Sequence, residues 1–329
     1  MGFGRIGRNI FRLGYDNPAF RFVAISDMGQ PETLQYLLNR DSVHGLFDVP
    51  VSINNNYLNA GDQSVRLLPG GKPSEIPWDM LEVDVVIDST GVQWSSEEMD
   101  AYRGQPIRTI ITNPESPLLD RIVVMGVNEK EISVEDRVIS PSSSTTQVLA
   151  LMLKILDEQF GVENAMMTTV HAYTSDQPLA DNTQVRRRRS RSAVENIIPN
   201  NTISPQLVEG IFPHLRGKLA GSAFNVPVPN GSCVDLTTEL KNMPMVEEVN
   251  RAVRERSEGD LSNIIGYTED PIVSSDVIGS GESMIFDAKA TMIASGHFLK
   301  TVCWYDNGWG YSKRILELVT SYAEKGEIQ

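Results

Sequence analysis

The chain has 329 residues, of which 40% are hydrophobic and 22% charged, a balance typical of globular proteins rather than disordered or fibrous ones. Its 29 basic and 43 acidic residues give a net charge of −14, which disfavours binding to nucleic acid or anionic membranes and leaves any bound anion to a local site. Two cysteines argue against a disulfide framework and exclude a cysteine metal cluster, and the first residues lack an export signal, so we expect a cytoplasmic protein.

In the first part of the chain, short apolar runs alternate with amphipathic segments. This alternation predicts βαβ units on one mostly parallel layer, with a helix from Pro31 and short hairpin strands over residues 51–71. We therefore predict a doubly wound α/β dinucleotide-binding domain over residues 1–143, completed by a C-terminal helix within 308–329. The predicted strands are the apolar runs that end at Asp27, Ser89, Thr112 and Val127.

After residue 143 the pattern changes to one long apolar helix over residues 145–160, followed by long strands. It predicts an α+β catalytic domain over residues 144–307, in which a large, mostly antiparallel sheet carries helices on one face. The predicted strands cover residues 165–174, 221–228, 233–240 and 290–305.

The glycines of GFGRIG have the spacing of a dinucleotide-binding loop, in which a helix N-terminus faces a pyrophosphate. Asp27 stands 20 residues beyond Gly7, at the end of a predicted strand. A carboxylate there accepts hydrogen bonds from ribose hydroxyls and repels a 2′-phosphate, which favours NAD over NADP. The alternative is an ordinary glycine turn beside a strand-end aspartate.

The sequence before this motif is short for such a domain. A dinucleotide fold has a strand directly before its glycine loop, whereas only Met1 precedes Gly2. We expect the natural protein to start several residues upstream; otherwise the central strand is missing or is supplied in another way. An intact-mass measurement on native protein that finds Met1 as the true start contradicts this expectation.

Three further features of the sequence each have a functional and a purely structural interpretation. PSSSTTQ places hydroxyl residues where a helix begins, a site for an anion or an activated nucleophile, or simply a helix cap. His171 ends an apolar strand and is a general base or a hydrogen-bonding core group, whereas the other three histidines lack a second metal ligand at suitable spacing. The arginines at 186–189 and 191 form a solvated charge run or, against the net charge, an RNA-binding segment.

Ten segments spread along the chain together carry a family resemblance. In chain order they are GFGRIG, the strand end at Asp27, NRDSVHGLFD, VVIDSTG, VMGVN, SSTTQ, TTVHAYTSDQ, RRRRSRSAVENIIP, VPVPNGSCVDLT and WYDNGWGYSKR. In this order and spacing they resemble glyceraldehyde-3-phosphate dehydrogenases, over the whole length apart from the first strand. The resemblance implies a tetrameric two-domain enzyme of glycolysis, which oxidises a phosphorylated aldehyde with NAD and inorganic phosphate through a thioester on cysteine.

The resemblance also implies roles for individual residues. Ser144 occupies the place of the nucleophile, His171 that of the base, and Asn307 that of the residue that orients the carboxamide of NAD. The residues implied to contact substrate or phosphate are Ser143, Thr145, Thr174, Arg189, Thr202 and Asn225. The residues implied to contact NAD are Gly2, Gly4, Arg5, Ile6, Gly7, Asp27, Thr112 and Asn307. No metal site is expected.

The chain departs from the family at several of these positions. The family motif Ser-Cys-Thr-Thr-Asn reads Ser-Ser-Thr-Thr-Gln here, so Ser144 replaces the cysteine. Asn225 stands in place of a phosphate-binding arginine, Ile203 in place of a glycine and Gly308 in place of an acidic residue. We expect the ordinary chemistry to be crippled, because a serine hydroxyl is not ionised by the surroundings that ionise a cysteine thiol.

These observations leave two readings of the chain. The first is a glyceraldehyde-3-phosphate dehydrogenase-type oxidoreductase in which Ser144 is an engineered replacement or a natural change. The second is a naturally nucleophile-free relative that binds NAD in a structural or regulatory role. Retained His171, Arg189 and Thr174 favour the first reading, whereas Gln147, Asn225 and Ile203 favour natural divergence.

Overall fold

The computed structural model describes residues 1–105, 107–183, 186–294 and 297–325. The chain divides into two units. The first comprises Met1–Ser143 together with the chain from Ser312 onward, and the second comprises Ser144–Tyr311. None of the helices in the described ranges is long and apolar enough to cross a membrane.

Helices and strands alternate in the first unit, and local residues mark where helices begin. α2 starts at Pro31, whose fixed φ and missing N–H suit a first helical turn, and the hydroxyl of Ser95 caps α3 by accepting the Glu98 N–H. In chain order the elements are α1 (Arg5–Gly14), β1 (Ala24–Asp27), α2 (Pro31–Asn39), β2 (Arg40–Asp41), β3 (Gly45–Leu46), β4 (Val51–Asn54), β5 (Tyr57–Ala60), β6 (Gln63–Pro69), β7 (Val85–Asp88), α3 (Ser96–Arg103), β8 (Arg108–Ile111), β9 (Arg121–Ile122) and β10 (Val138–Ser140).

The strands of this unit form two four-stranded sheets, ordered β1-β6-β5-β4 and β7-β8-β10-β9, and a β2–β3 hairpin. The second sheet is parallel, and β1 is parallel to β6, whereas β4, β5 and β6 pair antiparallel. Each sheet lies on its own apolar cluster. The predicted α/β fold class is confirmed, but the single layer expected from the sequence is interrupted between β1 and β7.

The strand predicted to end at Val127 is wrong. β9 ends at Ile122, and the following residues form turns in which the N–H groups of Val127 and Asn128 donate to the Val124 carbonyl, at 3.0 and 3.1 Å. The Asn128 side chain accepts from the Val124 N–H at 2.8 Å and donates to the Ile122 carbonyl at 3.0 Å. A polar side chain thus takes the bonds that a strand neighbour makes, and Gly126, at φ +82°, allows the reversal.

The second unit is built around an eight-stranded sheet ordered β12-β13-β11-β14-β18-β16-β15, with β17 paired to β18. Its elements are α4 (Ser144–Phe160), β11 (Val162–Ala172), β12 (Ile198–Asn200), α5 (Ser204–Ile211), β13 (Leu219–Val226), β14 (Ser232–Leu240), α6 (Val246–Glu258), β15 (Ile265–Thr268), β16 (Met284–Asp287), β17 (Met292–Ala294), β18 (Phe298–Tyr305) and α7 (Trp309–Glu324). From Ser312 onward, α7 belongs to the first unit.

Most neighbouring strands of this sheet are antiparallel, but β11 is parallel to β13 and β15 is parallel to β16. Buried and partly buried positions alternate along β14, as in a strand with one face on the core. α4 packs against β11, β14 and β18, and its residues from Thr145 to Leu153 are buried. The start of α4 is therefore held firmly on the sheet.

The single long strand predicted over residues 290–305 is also wrong. β17 and β18 pair antiparallel, with Met292 opposite Lys300 and Ala294 opposite Phe298, so the chain reverses between them. Ser295 and Gly296 of the predicted strand lie outside the described residues, as do residues 326–329 of the predicted C-terminal helical region.

A buried aspartate organises the chain that follows β7. Asp88 is 1% exposed, and its carboxylate accepts the Thr90 N–H at 2.9 Å, the Thr90 hydroxyl at 2.6 Å, the Trp94 indole N–H at 2.6 Å and the Tyr102 hydroxyl at 2.8 Å. Burial raises the pKa of Tyr102 above its usual range, and the nearby Asp88 charge raises it further. Tyr102 therefore remains a proton donor to Asp88.

We expect Tyr102→Phe to lower the free energy of unfolding by about 1–3 kcal/mol, because it leaves a buried carboxylate without one of its donors. Urea denaturation measures the loss. The matched control is Tyr57→Phe, which removes the hydroxyl of a tyrosine that is 44% exposed and should change stability by less than about 0.5 kcal/mol. Equal effects of the two substitutions would contradict the role given to Asp88.

Candidate active site

The three glycines of the GFGRIG loop meet different surroundings in the first unit. A Cβ on Gly2, which has φ +78°, would lie 2.7 Å from the Thr90 nitrogen, and one on Gly7 would lie 2.3 Å from the Gly2 carbonyl oxygen. A Cβ on Gly4 would meet no atom within 4 Å, and no side chain caps α1 at this residue. Two glycines thus permit a tight turn and close packing, and the third leaves room beside a helix N-terminus for an anion.

The Ser89 hydroxyl, in the segment after β7, stabilises this loop. It donates to the Gly2 carbonyl at 2.7 Å and lies 3.2 Å from the Met1 carbonyl, while the Gly2 N–H donates to the Ser26 carbonyl at 2.8 Å. The sequence pattern did not identify Ser89, because its contact with the loop spans 87 residues. The end of VVIDSTG was the only available signal.

Asp27 lies beside the glycine loop, as its position at the end of β1 predicts. One carboxylate oxygen accepts the Phe3 N–H at 2.6 Å and the other accepts the Gly29 N–H at 2.7 Å. These bonds fix the carboxylate, and each oxygen keeps a lone pair for a further donor. The next residue, Met28, is 91% exposed and carries no charge.

The other predicted nucleotide-binding residues of this unit lie at helix and strand ends. Arg5 and Ile6 begin α1. Thr112 follows β8 directly, and its N–H donates to the Asp88 carbonyl at 2.9 Å. Thr112 and the Ser89 segment are thus held at the carboxyl ends of neighbouring parallel strands, where ligands of open α/β sheets bind.

In the second unit, Ser144 is the first residue of α4, so its side chain stands at the positive end of a 17-residue helix. Ser143 and Ser144 are partly exposed. Ser142 is buried with φ +65°, a conformation that costs energy for a residue with a side chain. A constrained backbone therefore leads directly into the helix that starts at Ser144.

Tyr305 joins the start of α4 to β11. Its buried hydroxyl lies 2.8 Å from the Thr145 hydroxyl and 3.1 Å from the Thr169 hydroxyl, and its ring lies 6.1 Å from the ring of His171. Burial raises the pKa of Tyr305 to about 12 although its hydrogen bonds with both threonines lower it, so the phenol remains protonated. Thr145, which is predicted to contact substrate, forms a hydrogen bond within this buried network through its hydroxyl. Tyr305 was not identified from the sequence.

His171 is the second-to-last residue of β11, and its Nδ1 is 2.6 Å from the Ala172 carbonyl oxygen. A carbonyl oxygen only accepts, so Nδ1 carries the proton and the neutral ring has its basic lone pair on Nε2. A backbone group thus sets the tautomer. This arrangement suits a general base whose reactive nitrogen is Nε2.

A chain of hydrogen bonds runs from β11 to Asn307. The Ser232 hydroxyl accepts the Ala172 N–H at 3.0 Å and donates to Oδ1 of Asn307 at 3.2 Å, and Asn230 Oδ1 accepts the Asn307 N–H at 3.3 Å. Because Oδ1 of Asn307 accepts this bond, the orientation of its amide is defined. Ser232 and Asn230 were not identified from the sequence, although both lie in the VPVPNGSCVDLT segment.

Thr174 and Arg189 are brought together through Asp176. The Thr174 hydroxyl and the Arg189 guanidinium both donate to the Asp176 carboxylate. Burial raises the pKa of Asp176, but the Thr174 hydrogen bond and the Arg189 charge outweigh it and hold the pKa below its usual value. An anion that binds Arg189 therefore shares or displaces a carboxylate, a feature that sequence reasoning missed.

Asn225 lies opposite His171 in the pairing of β11 and β13 and is 7% exposed. Its Nδ2 donates to the Ala172 carbonyl and its Oδ1 accepts from Asn200 Nδ2, each at 3.3 Å. The amide is thus engaged on both sides. Thr202, the other predicted phosphate contact nearby, donates its hydroxyl to Ser204 at 3.1 Å.

Neither cysteine offers a substitute nucleophile. Burial and the neighbouring Asp235 charge raise the pKa of Cys233 to about 11, and burial raises the pKa of Cys303 still further above its usual value. Both thiols remain protonated at neutral pH, and only the thiolate is strongly nucleophilic. No group of residues that could hold a metal ion is found within the described ranges.

Comparison with known proteins identifies the family of each of two long segments of the chain. Residues 1–96 match the family model for the NAD binding domain of glyceraldehyde 3-phosphate dehydrogenase, and residues 143–307 match the model for its C-terminal domain. NAD is therefore the cofactor, and the room at Gly4 beside the N-terminus of α1 fits its pyrophosphate.

Individual relatives match almost the full chain. Glyceraldehyde-3-phosphate dehydrogenase of Geobacillus stearothermophilus is 42% identical over 326 residues, covering 99% of this chain and 97% of that protein. Glyceraldehyde-3-phosphate dehydrogenase 1 of Bacillus subtilis is 40% identical over 326 residues, with the same coverage of both proteins. Glyceraldehyde-3-phosphate dehydrogenase of Podospora anserina is 41% identical over 327 residues, covering 98% of this chain and 96% of that protein. The chain belongs to the glyceraldehyde-3-phosphate dehydrogenase family.

Proposed function

We propose that this chain is an NAD-dependent aldehyde oxidoreductase whose catalysis is limited by Ser144. The observation that carries the proposal is the retained base: the Ala172 carbonyl fixes His171 with Nε2 basic, and Tyr305 contacts both this ring and the helix that starts at Ser144. A chain that only binds the cofactor has no need of a base held in this way.

In the proposed reaction, the Ser144 hydroxyl adds to the aldehyde carbon and a hemiacetal forms. His171 Nε2 then takes the proton of the hemiacetal hydroxyl as the carbon loses a hydride, which leaves an acyl ester on Ser144. NAD, when bound, supplies the hydride acceptor. Inorganic phosphate attacks the ester, releases an acyl phosphate and returns the proton to Ser144 through His171.

Serine makes each covalent step slower than cysteine does. A thiol has a reference pKa of about 8.5, which an imidazolium and a helix N-terminus lower into the neutral range, whereas an alcohol is not ionised there. The ester is also a poorer acyl donor to phosphate than a thioester. The serine therefore lowers reactivity, while its similar size leaves room for the same substrate.

Recognition of a phosphorylated substrate rests on Arg189, whose guanidinium is paired with Asp176. Asn225 carries no charge, and its amide already forms hydrogen bonds with Asn200 and the Ala172 carbonyl. We therefore infer that this site binds phosphate more weakly than a site with two arginines does. We also infer a preference for a less anionic or differently shaped aldehyde.

A second candidate function is NAD binding without catalysis, in a structural or regulatory role. Ser144 together with the engaged amide of Asn225 favours it. The family resemblance also supports a cytoplasmic homotetramer, and the net charge of −14 disfavours binding to nucleic acid and anionic membranes. RNA binding through the arginine run is tested by a gel shift in about 0.1 M salt, where we expect no complex.

We expect NAD to bind at least 10-fold more tightly than NADP, because Asp27 accepts from ribose hydroxyls and repels a 2′-phosphate. Calorimetric titration gives both affinities. Asp27→Asn keeps the shape and one acceptor but removes the charge, so it should reduce the NAD preference about 10-fold, a change of about 1.4 kcal/mol. The exposed residue Asp62 provides the control substitution Asp62→Asn, which should leave the preference unchanged.

Ser144→Cys should raise NADH production from aldehydes by roughly three orders of magnitude or more, because it restores an ionisable nucleophile at the start of α4. The assay supplies NAD, phosphate and a panel of phosphorylated and unphosphorylated aldehydes. Ser143→Cys places a thiol one residue away and should give no such gain. If no aldehyde is turned over by Ser144→Cys, NAD binding without catalysis becomes the function.

In the Ser144→Cys background, Asn225→Arg should raise kcat/KM for glyceraldehyde 3-phosphate roughly 10-fold. A charge-assisted contact contributes about 1.5–3 kcal/mol, against about 1 kcal/mol for the lost Asn200 hydrogen bond. Asn225→Gln, which keeps the amide without a charge, is the control and should give no gain. If Asn225→Arg does not raise kcat/KM for the phosphorylated substrate, position 225 contacts another group of the substrate.

A further inference from the structure

The β2–β3 hairpin lies beside α1 and is bound to it by a buried arginine. The Arg12 guanidinium donates to the Leu38 carbonyl at 3.1 and 2.6 Å and to the Gly45 carbonyl at 3.2 and 3.1 Å. It also lies over the Phe47 ring, 5.4 Å from the centroid. Because α1 begins at the GFGRIG loop, these contacts hold the hairpin next to the helix that follows this loop.

Arg8, one helical turn before Arg12 on α1, connects this hairpin to the GFGRIG loop. One arm of its guanidinium, Nη1, donates to the Phe3 carbonyl at 3.1 Å. The other arm, Nη2, lies 3.8 Å from Oδ2 of Asp41, the last residue of β2. The side chains of Arg8 and Asp41 are 14% and 8% exposed, so solvent and salt screen this ion pair only weakly.

The hairpin itself orients the Asp41 carboxylate. Oδ1 accepts the backbone N–H groups of Val43 and His44, each at 2.9 Å, and Nδ1 of the His44 ring lies 3.5 Å from the same oxygen. The His44 side chain and these backbone bonds outweigh desolvation and hold the pKa of Asp41 below its usual range, so the carboxylate is charged at neutral pH. With Oδ1 fixed in this way, Oδ2 faces Arg8.

Asp41 is the main counter-charge of Arg8. Burial lowers the pKa of Arg8, and among the nearby charges that of Asp41 opposes this effect most, whereas that of Asp27 opposes it less. Removing one member of a buried ion pair leaves the other without its counter-charge, which favours a side-chain position closer to solvent. Without the carboxylate of Asp41, we therefore expect Arg8 to release the Phe3 carbonyl.

The bond from Arg8 to Phe3 sets the direction of the Gly4 N–H. The Phe3 carbonyl and the Gly4 N–H belong to one planar peptide group and point in opposite directions. None of the described residues accepts a hydrogen bond from the Gly4 N–H, and a Cβ on Gly4 would meet no atom within 4 Å. This N–H is therefore a donor for an anion at the N-terminus of α1, where the pyrophosphate of NAD fits.

We propose that Asp41 is a positioning residue for the cofactor, which holds the Arg8 guanidinium against the Phe3 carbonyl and thereby keeps the Gly4 N–H directed at the pyrophosphate of NAD. Asp41 makes its hydrogen bonds within the hairpin, so it reaches the loop only through Arg8. The competing interpretation is that Asp41 only closes the hairpin turn. That role affects stability, whereas a positioning role affects the binding of a pyrophosphate and requires Arg8.

The test measures the affinity of the full chain for NAD and ADP by calorimetric titration, and for adenosine by competition with NAD. Asp41→Asn should weaken NAD and ADP about 10-fold, the smaller effect expected for a hydrogen bond to a charged group. Adenosine has no phosphate and should change by less than about 2-fold. The control Asp48→Asn removes an exposed carboxylate from the same segment and should weaken none of the three. Loss of a negative charge without positioning would tighten ADP binding, so the sign of the effect separates the two causes.

A double-mutant cycle tests the dependence on Arg8. Arg8→Met removes the donor to Phe3 and should weaken NAD about as much as Asp41→Asn does, and in this background Asp41→Asn should weaken NAD no further. Arg8→Gln, which is neutral but keeps an amide, is the second background if thermal unfolding shows that Arg8→Met does not fold.

The proposal is wrong if Asp41→Asn weakens NAD equally with and without Arg8, or if adenosine loses as much affinity as ADP. It is also wrong if Asp41→Asn lowers Tm but leaves the affinity for NAD unchanged or tighter, which would assign Asp41 to the hairpin turn alone. These readouts do not depend on turnover, so they stand apart from the proposed oxidoreductase function.

Discussion

The hydroxyl group of Tyr305 is the contact on which the catalytic half of this protein depends. It lies on β18, beside Thr145 at the start of α4 and Thr169 on β11, while the same ring lies against His171. Ser144, which begins α4, and His171 on β11 belong to elements that follow each other in the chain, whereas Tyr305 is distant in sequence and contacts both elements. Because its pKa is raised to about 12, the network remains intact over the pH range in which enzymes work.

From this network we expect a change at Ser144 to leave the surrounding structure in place. The constraints on α4 come from buried residues that follow Ser144, and from the backbone at Ser142 that precedes it. The oxygen of Ser144 takes part in none of the hydrogen bonds that join Thr145, Tyr305 and Thr169. The hydrogen-bonded framework around the start of α4 is therefore independent of the side chain at position 144.

Local signals were sufficient to predict that the glycine loop and Asp27 lie next to each other. The glycine spacing and the strand end at Asp27 predict a loop and a carboxylate that lie side by side, because both features depend on neighbours within one βαβ unit. Ser89, Asp176 and Tyr305 were missed, since their roles arise from contacts with other segments or from pairing within a loop. No periodicity in a sequence records such contacts.

The errors in the fold have a similar origin. Residues 122–127 have the apolar composition of a strand, but the Asn128 side chain bonds to the backbone of this segment and turns it. Residues 290–305 form two strands because β18 finds partners in both β14 and β17, which composition alone does not distinguish from one continuous strand. In both cases, a tertiary or side-chain partner outweighed the local pattern.

Asn225 lies in a hydrogen-bonding environment that an arginine at this position would change. An arginine has only donors, so it cannot accept the hydrogen bond that Asn200 gives to Asn225. The Ala172 carbonyl, which also accepts from His171, takes the other bond of Asn225. The surroundings of position 225 are thus matched to an amide and are coupled to the base through one backbone carbonyl. If Asn225 contacts the substrate and His171 is the base, as we propose, a substitution at position 225 alters both substrate recognition and the environment of the base.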